Sequence, residues 1–187
     1  MLISHSRKYI FIHLHKCGGT SVRSILTPTL SDQDMWVDSF LRLGDGRLLS
    51  KHSPAQDIFD YLGQKKWSEY CKISVVRNPY SLILSLYTFS RKIVEHEISQ
   101  GRLDLETIKS YQQGCPFPNR EPLNYHIVKA TILSGFPEES FEEFVSSEFL
   151  WKDMSTRQSQ AKKLSIAHGS EDVLSVDILG KIECMEE

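Results

Sequence analysis

The stretch Tyr9–Val22 reads YIFIHLHKCGGTSV, and the predicted fold is built around it. Its first six residues form an apolar, β-branched and aromatic run, which is typical of a buried strand. A lysine, two glycines and two hydroxyl residues follow, and apolar residues then recur at helical spacing. A strand, a glycine-rich turn and a helix start together direct backbone N–H groups at an anion, most often a phosphate.

The residue order in this turn excludes two common nucleotide motifs. Lys16 precedes the glycines, whereas the lysine of the G-x-x-x-x-G-K-[ST] loop follows them. The turn is not G-x-G-x-x-G either, so dinucleotide binding has no support. Gly18 and Gly19 permit close backbone approach, the hydroxyls of Thr20 and Ser21 can donate hydrogen bonds, and Lys16 supplies a positive charge.

A second junction of strand and helix follows later in the chain. Cys71–Val76 is a buried-strand candidate, Arg77 follows it, and Asn78-Pro79 supplies a cap and a first helical residue. Apolar residues at three- and four-residue steps predict a long helix to about Glu95. Ser85 lies about two turns into that helix, so we expect Arg77 and Ser85 to converge on one anion.

Strands that alternate with helices predict an α/β domain with a mainly parallel central sheet flanked by helices. The 187 residues fit one domain, residues 1–187. Ser53 and Gln56 form a capping-box pattern before a further helix, which Gly63 is expected to end.

Composition narrows the class of protein. The net charge of −2 argues against a nucleic-acid surface. Four scattered cysteines argue against a zinc site or a disulfide framework and favour a reduced, cytoplasmic setting. No apolar run approaches the ~18 residues of a transmembrane helix, and no N-terminal signal pattern is expected.

Two motifs carry a resemblance to a known family. Phe11–Ser21 resembles the 5′-phosphosulfate loop of the sulfotransferase superfamily, commonly P-K-T-G-G-T-S, and Ser74–Tyr87 resembles its 3′-phosphate motif, often V-R-N-P-Y-x-R-x-x-S-x-Y. They occur in the expected order and separation. Weaker similarity, closest to the carbohydrate-type and bacterial branch, continues in Lys51–Gln56, Phe141–Val145 and Val176–Glu183.

The resemblance implies a three-layer, P-loop-like fold and an enzyme. The implied reaction passes a sulfuryl group from 3′-phosphoadenosine 5′-phosphosulfate (PAPS) to an acceptor hydroxyl, such as that of a saccharide or small metabolite, without a metal. By resemblance, Lys16 contacts the bridging oxygen and stabilises the leaving phosphate, the glycine loop holds the 5′-phosphate, and Arg77 with Ser85 holds the 3′-phosphate. The residues that would bind the donor are Lys16, Cys17, Gly18, Gly19, Thr20, Ser21, Arg77 and Ser85.

An acceptor hydroxyl needs a general base, and a histidine has a suitable unperturbed pKa near 6.5. Related sequences place the candidate base at a histidine before a Ser/Thr-Pro helix start, which makes His52 the candidate; the alternative is that His52 merely abuts the helix. His13 and His15 alternate on a strand without an acidic third ligand, so a metal is not expected. Cys17 replaces the usual threonine at a helix N-terminus, where thiol pKa values tend to fall.

The chain departs from the family pattern at its C-terminus. It stops at Glu187, whereas family members usually continue through another helix and a segment that helps to close over the nucleotide. Three interpretations stay open: a short member of the family, a truncated chain, or a fragment that binds the nucleotide weakly. The short C-terminus also keeps open a non-catalytic nucleotide-binding or scaffold protein. A nucleotide-dependent phosphotransferase is a weaker alternative, because it leaves Arg77 and Ser85 without a purpose.

Overall fold

The computed structural model describes residues 1–153 and 155–184, and the chain divides into two compact units. The first unit combines Met1–Asn78 with Gln158–Glu187, and the second is Pro79–Arg157. Each unit has its own buried apolar residues. The number of domains stays a prediction.

The structure contains the predicted strand and helix of both motifs, together with further elements. The strands are β1 (Leu2–Ser4), β2 (Tyr9–Ile12), β3 (Met35–Trp36), β4 (Phe40–Arg42), β5 (Leu48–Ser50), β6 (Cys71–Val76), β7 (Ser165–His168), β8 (Glu171–Leu174) and β9 (Ile178–Lys181). The helices are α1 (Gly19–Leu26), α2 (Ala55–Glu69), α3 (Pro79–Ser99), α4 (Leu105–Gln112), α5 (His126–Leu133), α6 (Phe141–Ser146), α7 (Glu148–Lys152) and α8 (Gln160–Lys163). Two 3-10 turns occupy Thr27–Thr29 and Ile182–Cys184.

The central sheet of the first unit is mixed, with strand order β3-β1-β2-β6-β9. Strand β1 is antiparallel to β2 and β3, whereas β2 pairs in parallel with β6, and β6 with β9. The prediction of a mainly parallel sheet thus holds for only half of the pairings. The reason is the short link at residues 5–8, because a parallel connection needs a crossover of roughly a dozen residues or more.

Helices cover both faces of this sheet. Alternate residues of β2 point to opposite faces, so Ile10 and Ile12 pack in one cluster with Ile58 of α2, while Phe11 packs in another with Val22 of α1. The first unit therefore has helix, sheet and helix layers, as predicted; its P-loop-like character stays a prediction.

The second unit is helical. Apolar residues of α3, including Leu82, Leu86 and Val94, are buried in one cluster with residues of α5, α6 and α7. Ser85 is half-buried on α3. Across both units, residues 1–153 and 155–184 contain no helix long and apolar enough to cross a membrane.

The start of α2 differs from the capping-box prediction. Helix α2 begins at Ala55, and no side chain caps its first turn. Ser53 Oγ instead accepts a hydrogen bond from the Ser50 N–H, and Gln56 binds Asp60 and the Ala167 N–H. The Ser53 and Gln56 side chains therefore stabilise the turn before α2 and the contact with β7.

Candidate active site

The candidate site lies where β2 and β6 end. These two strands are parallel neighbours, so their carboxyl ends meet at one edge of the sheet, where ligands bind in open α/β sheets. Strand β2 leads through His13–Gly18 into α1, and Arg77 directly follows β6. The two predicted anion-binding motifs thus begin side by side.

The turn before α1 has an unusual backbone. Lys16 and Gly18 both have left-handed conformations, with φ of 56° and 69°. Gly18 is the N-cap of α1 and offers no side chain, and the first helical hydrogen bonds run from the Ser21 and Val22 N–H groups to its carbonyl oxygen. An N-terminus without a side-chain cap directs N–H groups and a partial positive charge at an incoming anion, and Thr20 is exposed beside it.

Gly19 has a further role that the sequence did not reveal. A Cβ at this position would lie 1.8 Å from Nε2 of His13, whose side chain is buried. Only glycine lets the His13 ring pack directly against the start of α1. Gly19, the second glycine of the turn, therefore leaves space for the ring of His13, which directly follows β2.

Arg77 is held against this turn. Its Nη1 donates a hydrogen bond to the Lys16 carbonyl oxygen over 3.0 Å. The Gln160 amide binds the Arg77 backbone twice: Oε1 accepts from the Arg77 N–H (2.9 Å), and Nε2 donates to the Arg77 carbonyl oxygen (2.7 Å). The prediction from sequence did not include Gln160, which lies in a polar stretch without a motif.

Cys17 is buried within the turn, and its thiol pKa is not lowered as the helix N-terminus suggested. Burial raises the pKa to about 11, against the opposing positive charges of Arg77 and Lys163. The single hydrogen of the protonated Sγ is shared between the His15 carbonyl oxygen (3.3 Å) and Gln160 Oε1 (3.5 Å). The expectation of a lowered thiol pKa is therefore wrong, and Cys17 is a hydrogen-bond donor inside the loop.

Three histidines cluster beside the turn. The ring of His15 stacks on that of His52 with centroids 3.6 Å apart, and the His13 ring lies 4.5 Å from the His52 ring. Nδ1 of His52 lies 2.9 Å from the His13 carbonyl oxygen. Since that oxygen can only accept, His52 Nδ1 carries a hydrogen, and its neutral ring keeps the lone pair on Nε2.

Burial keeps all three rings neutral near pH 7. It lowers the pKa of His13 to about 3, that of His15 to about 2 and that of His52 to about 4. The positive charge of Lys51 lowers each pKa further, because it disfavours the imidazolium form. At pH 7 the His52 ring is therefore neutral, and its low pKa makes it a weak proton acceptor in the free protein.

The first unit brings most of the predicted site residues together. Lys16 and Arg77 share a hydrogen bond, and His52 contacts the segment that leads into the loop. Ser85 belongs to the second unit, and its convergence with Arg77 stays a prediction. Lys163 was also missed: it is buried on α8, and its positive charge lowers the pKa of His15.

The described part of the chain provides no set of ligands for a metal ion. Residues 1–153 and 155–184 contain no group of three or more His, Cys, Asp or Glu side chains that could hold a metal ion. His15 and His52 stack face to face, so their nitrogens are not directed at a common point. The absence of a metal from the reaction stays a prediction.

Comparison with known proteins gives one match. A family model described as "Sulfotransferase family" matches residues 1–187. No curated protein and no solved structure matches the chain. The family match includes both compact units and every residue of the candidate site.

Proposed function

Since this chain belongs to the sulfotransferase family, we propose that it transfers a sulfuryl group from PAPS to an acceptor hydroxyl by in-line displacement. The observation that carries the proposal is the hydrogen bond from Arg77 to the Lys16 carbonyl, which joins the two anion-binding motifs at one edge of the sheet. The proposed acceptor is a hydroxyl of a saccharide or small metabolite.

The residues present fit a nucleotide with two phosphate groups. The start of α1, with Gly18 as its uncapped N-terminus and exposed Thr20 and Ser21 hydroxyls, suits the 5′-phosphosulfate. Arg77 suits the 3′-phosphate, because a guanidinium binds phosphate through two parallel N–H groups, and Ser85 would add a hydroxyl. When bound, PAPS supplies an activated sulfuryl group on a good leaving phosphate.

Lys16 has the proposed role of stabilising negative charge as it develops. Its side chain is half-buried and extends from the turn that precedes α1. An ammonium group in a partly dehydrated site acts more strongly on a developing charge than the same group in water.

His52 has the proposed role of general base. Its hydrogen bond to the His13 carbonyl leaves Nε2 able to take the proton of an acceptor hydroxyl. Its pKa of about 4 would make it a weak base in the free protein. Bound anionic groups nearby would raise that pKa, because negative charge favours the imidazolium form. The base would then be strongest when the donor is present.

One binding experiment tests the donor. We expect adenosine 3′,5′-bisphosphate to bind the intact chain in calorimetry more tightly than ATP with magnesium. Tighter binding of ATP would overturn the proposal in favour of a phosphotransferase. If the bisphosphate binds and broad acceptor screening yields no sulfated product, the chain is a nucleotide-binding or scaffold protein.

A further inference from the structure

Gln160 contacts two parts of the candidate site at once. One amide oxygen accepts from the Arg77 N–H and from Cys17 Sγ, so it joins the end of β6 to the turn after β2. The amide nitrogen of the same side chain donates to the Arg77 carbonyl oxygen. Among side chains, the amides of Asn and Gln accept through an oxygen and donate through a nitrogen on the same carbon.

These contacts determine where the Arg77 side chain begins. The residue after β6 has left the sheet ladder, so its backbone N–H and carbonyl need other partners, and the Gln160 amide supplies both. With its backbone held, Arg77 directs Nη1 at the Lys16 carbonyl, which belongs to a left-handed residue. The Gln160 side chain therefore helps to fix the backbone of Arg77 and, through Arg77, supports the turn.

We propose that Gln160 is a positioning residue of the donor site, which holds Arg77 against the turn that contains Lys16 so that the guanidinium is ready for a phosphate. This inference rests on the proposed function, because it assumes that Arg77 binds the donor. Gln160 itself need not touch the nucleotide: it acts through the Arg77 backbone and the Cys17 thiol.

Gln160→Met is the sharpest variant, because methionine has nearly the same length and shape but forms neither amide hydrogen bond. We expect the Kd for adenosine 3′,5′-bisphosphate, measured by calorimetry, to rise by about tenfold or more, the size of effect that the loss of two hydrogen bonds produces. Gln158→Ala is the matched control: it changes an exposed glutamine two residues away, and the Kd should be unchanged.

A double-mutant cycle separates positioning from general destabilisation. Arg77→Ala keeps the backbone groups that Gln160 binds but removes the guanidinium. If Gln160 acts through Arg77, Gln160→Met should have little further effect on the Kd in the Arg77→Ala background. Equal fold-changes in both backgrounds would overturn the proposal, because Gln160 would then act on binding without Arg77.

Two further outcomes are informative. If Gln160→Met does not fold, Gln160→Asn replaces it, because the shorter amide cannot reach both backbone groups but stays polar; a wild-type Kd in that variant overturns the proposal. If the wild-type chain binds the bisphosphate and Gln160→Met has the same Kd, this inference is overturned but the proposed donor is not. Failure of the wild-type chain to bind the bisphosphate overturns the proposed donor as well.

Discussion

At the scale of single residues, Lys16 combines a strained backbone conformation with its proposed chemical role. A left-handed conformation costs a non-glycine residue roughly 1–2 kcal/mol, and such residues persist where their surroundings hold them. The hydrogen bond from Arg77 to the Lys16 carbonyl is one such support. This conformation sets the direction in which the Lys16 side chain leaves the turn.

Replacement of Lys16 or His52 by alanine should reduce turnover more than donor affinity, because their proposed roles concern charge and a proton that move during transfer. We expect kcat to fall by about 100-fold or more in each variant, with the Kd for adenosine 3′,5′-bisphosphate nearly unchanged. Release of adenosine 3′,5′-bisphosphate in the presence of an acceptor found by screening measures kcat. Calorimetry measures the Kd.

Lys65→Ala, on the exposed surface of α2, is the control for loss of a positive charge. An unchanged kcat in Lys16→Ala would show that this lysine only shapes the turn. Full activity in His52→Ala would remove His52 from the mechanism.

At the scale of elements, the end of β2 and the start of α1 are fitted to each other through Gly19. Gly19→Ala should lower the free energy of unfolding by about 1–3 kcal/mol, since the new Cβ would overlap the buried His13 ring. Urea unfolding of the variant gives this value. In the His13→Ala background, where the ring is absent, Gly19→Ala should lower the free energy of unfolding much less.

Gly44→Ala is the matched control, because an added Cβ there meets no atom within 4 Å. We expect that variant to unfold like the wild-type chain. A Gly19→Ala chain as stable as wild type would contradict the packing of His13 on α1.

The elements also show what the sequence could and could not predict. Local signals were sufficient for β6 at Cys71–Val76 and for the start of α3 at Pro79, because these depend on neighbours in sequence. The prediction that Ser53 and Gln56 form a capping box was wrong, because both side chains have competing partners, in the turn before α2 and in β7.

In the candidate site too, the features that have a local sequence motif could be predicted and the others could not. The Lys16 turn and Arg77 follow from motifs, and the parallel pairing of β2 with β6 makes them neighbours. Gln160 and the position of His13 against Gly19 depend on contacts between distant or differently structured segments, and neither has a local signal. The prediction of a lowered Cys17 pKa was wrong, because burial raises the thiol pKa by more than a helix N-terminus lowers it.

At the scale of the whole molecule, the histidine cluster predicts how stability depends on pH. His13, His15 and His52 have folded pKa values of about 3, 2 and 4, below the ordinary value near 6.5. Between pH 6.5 and about 4 the unfolded chain therefore binds protons that the folded chain does not. The free energy of unfolding should fall as pH is lowered through this window, by up to about 1.4 kcal/mol per pH unit for each histidine.

Urea unfolding at several pH values measures this slope. His15→Phe, which keeps an aromatic ring against His52, should reduce the slope by the share of one histidine. A free energy of unfolding that stays constant from pH 6.5 to pH 4 would contradict neutral, buried rings.

The division of the first unit into two sequence segments has a consequence for synthesis. A ribosome releases a chain from its N-terminus, at roughly 5–20 residues per second. The turn with Lys16 and Arg77 therefore emerges long before Gln160 and β9, which follow all of Pro79–Arg157. Until that last segment is released, β6 lacks its β9 neighbour and Arg77 lacks its amide partner. The candidate site is thus completed only after the whole helical unit has been made.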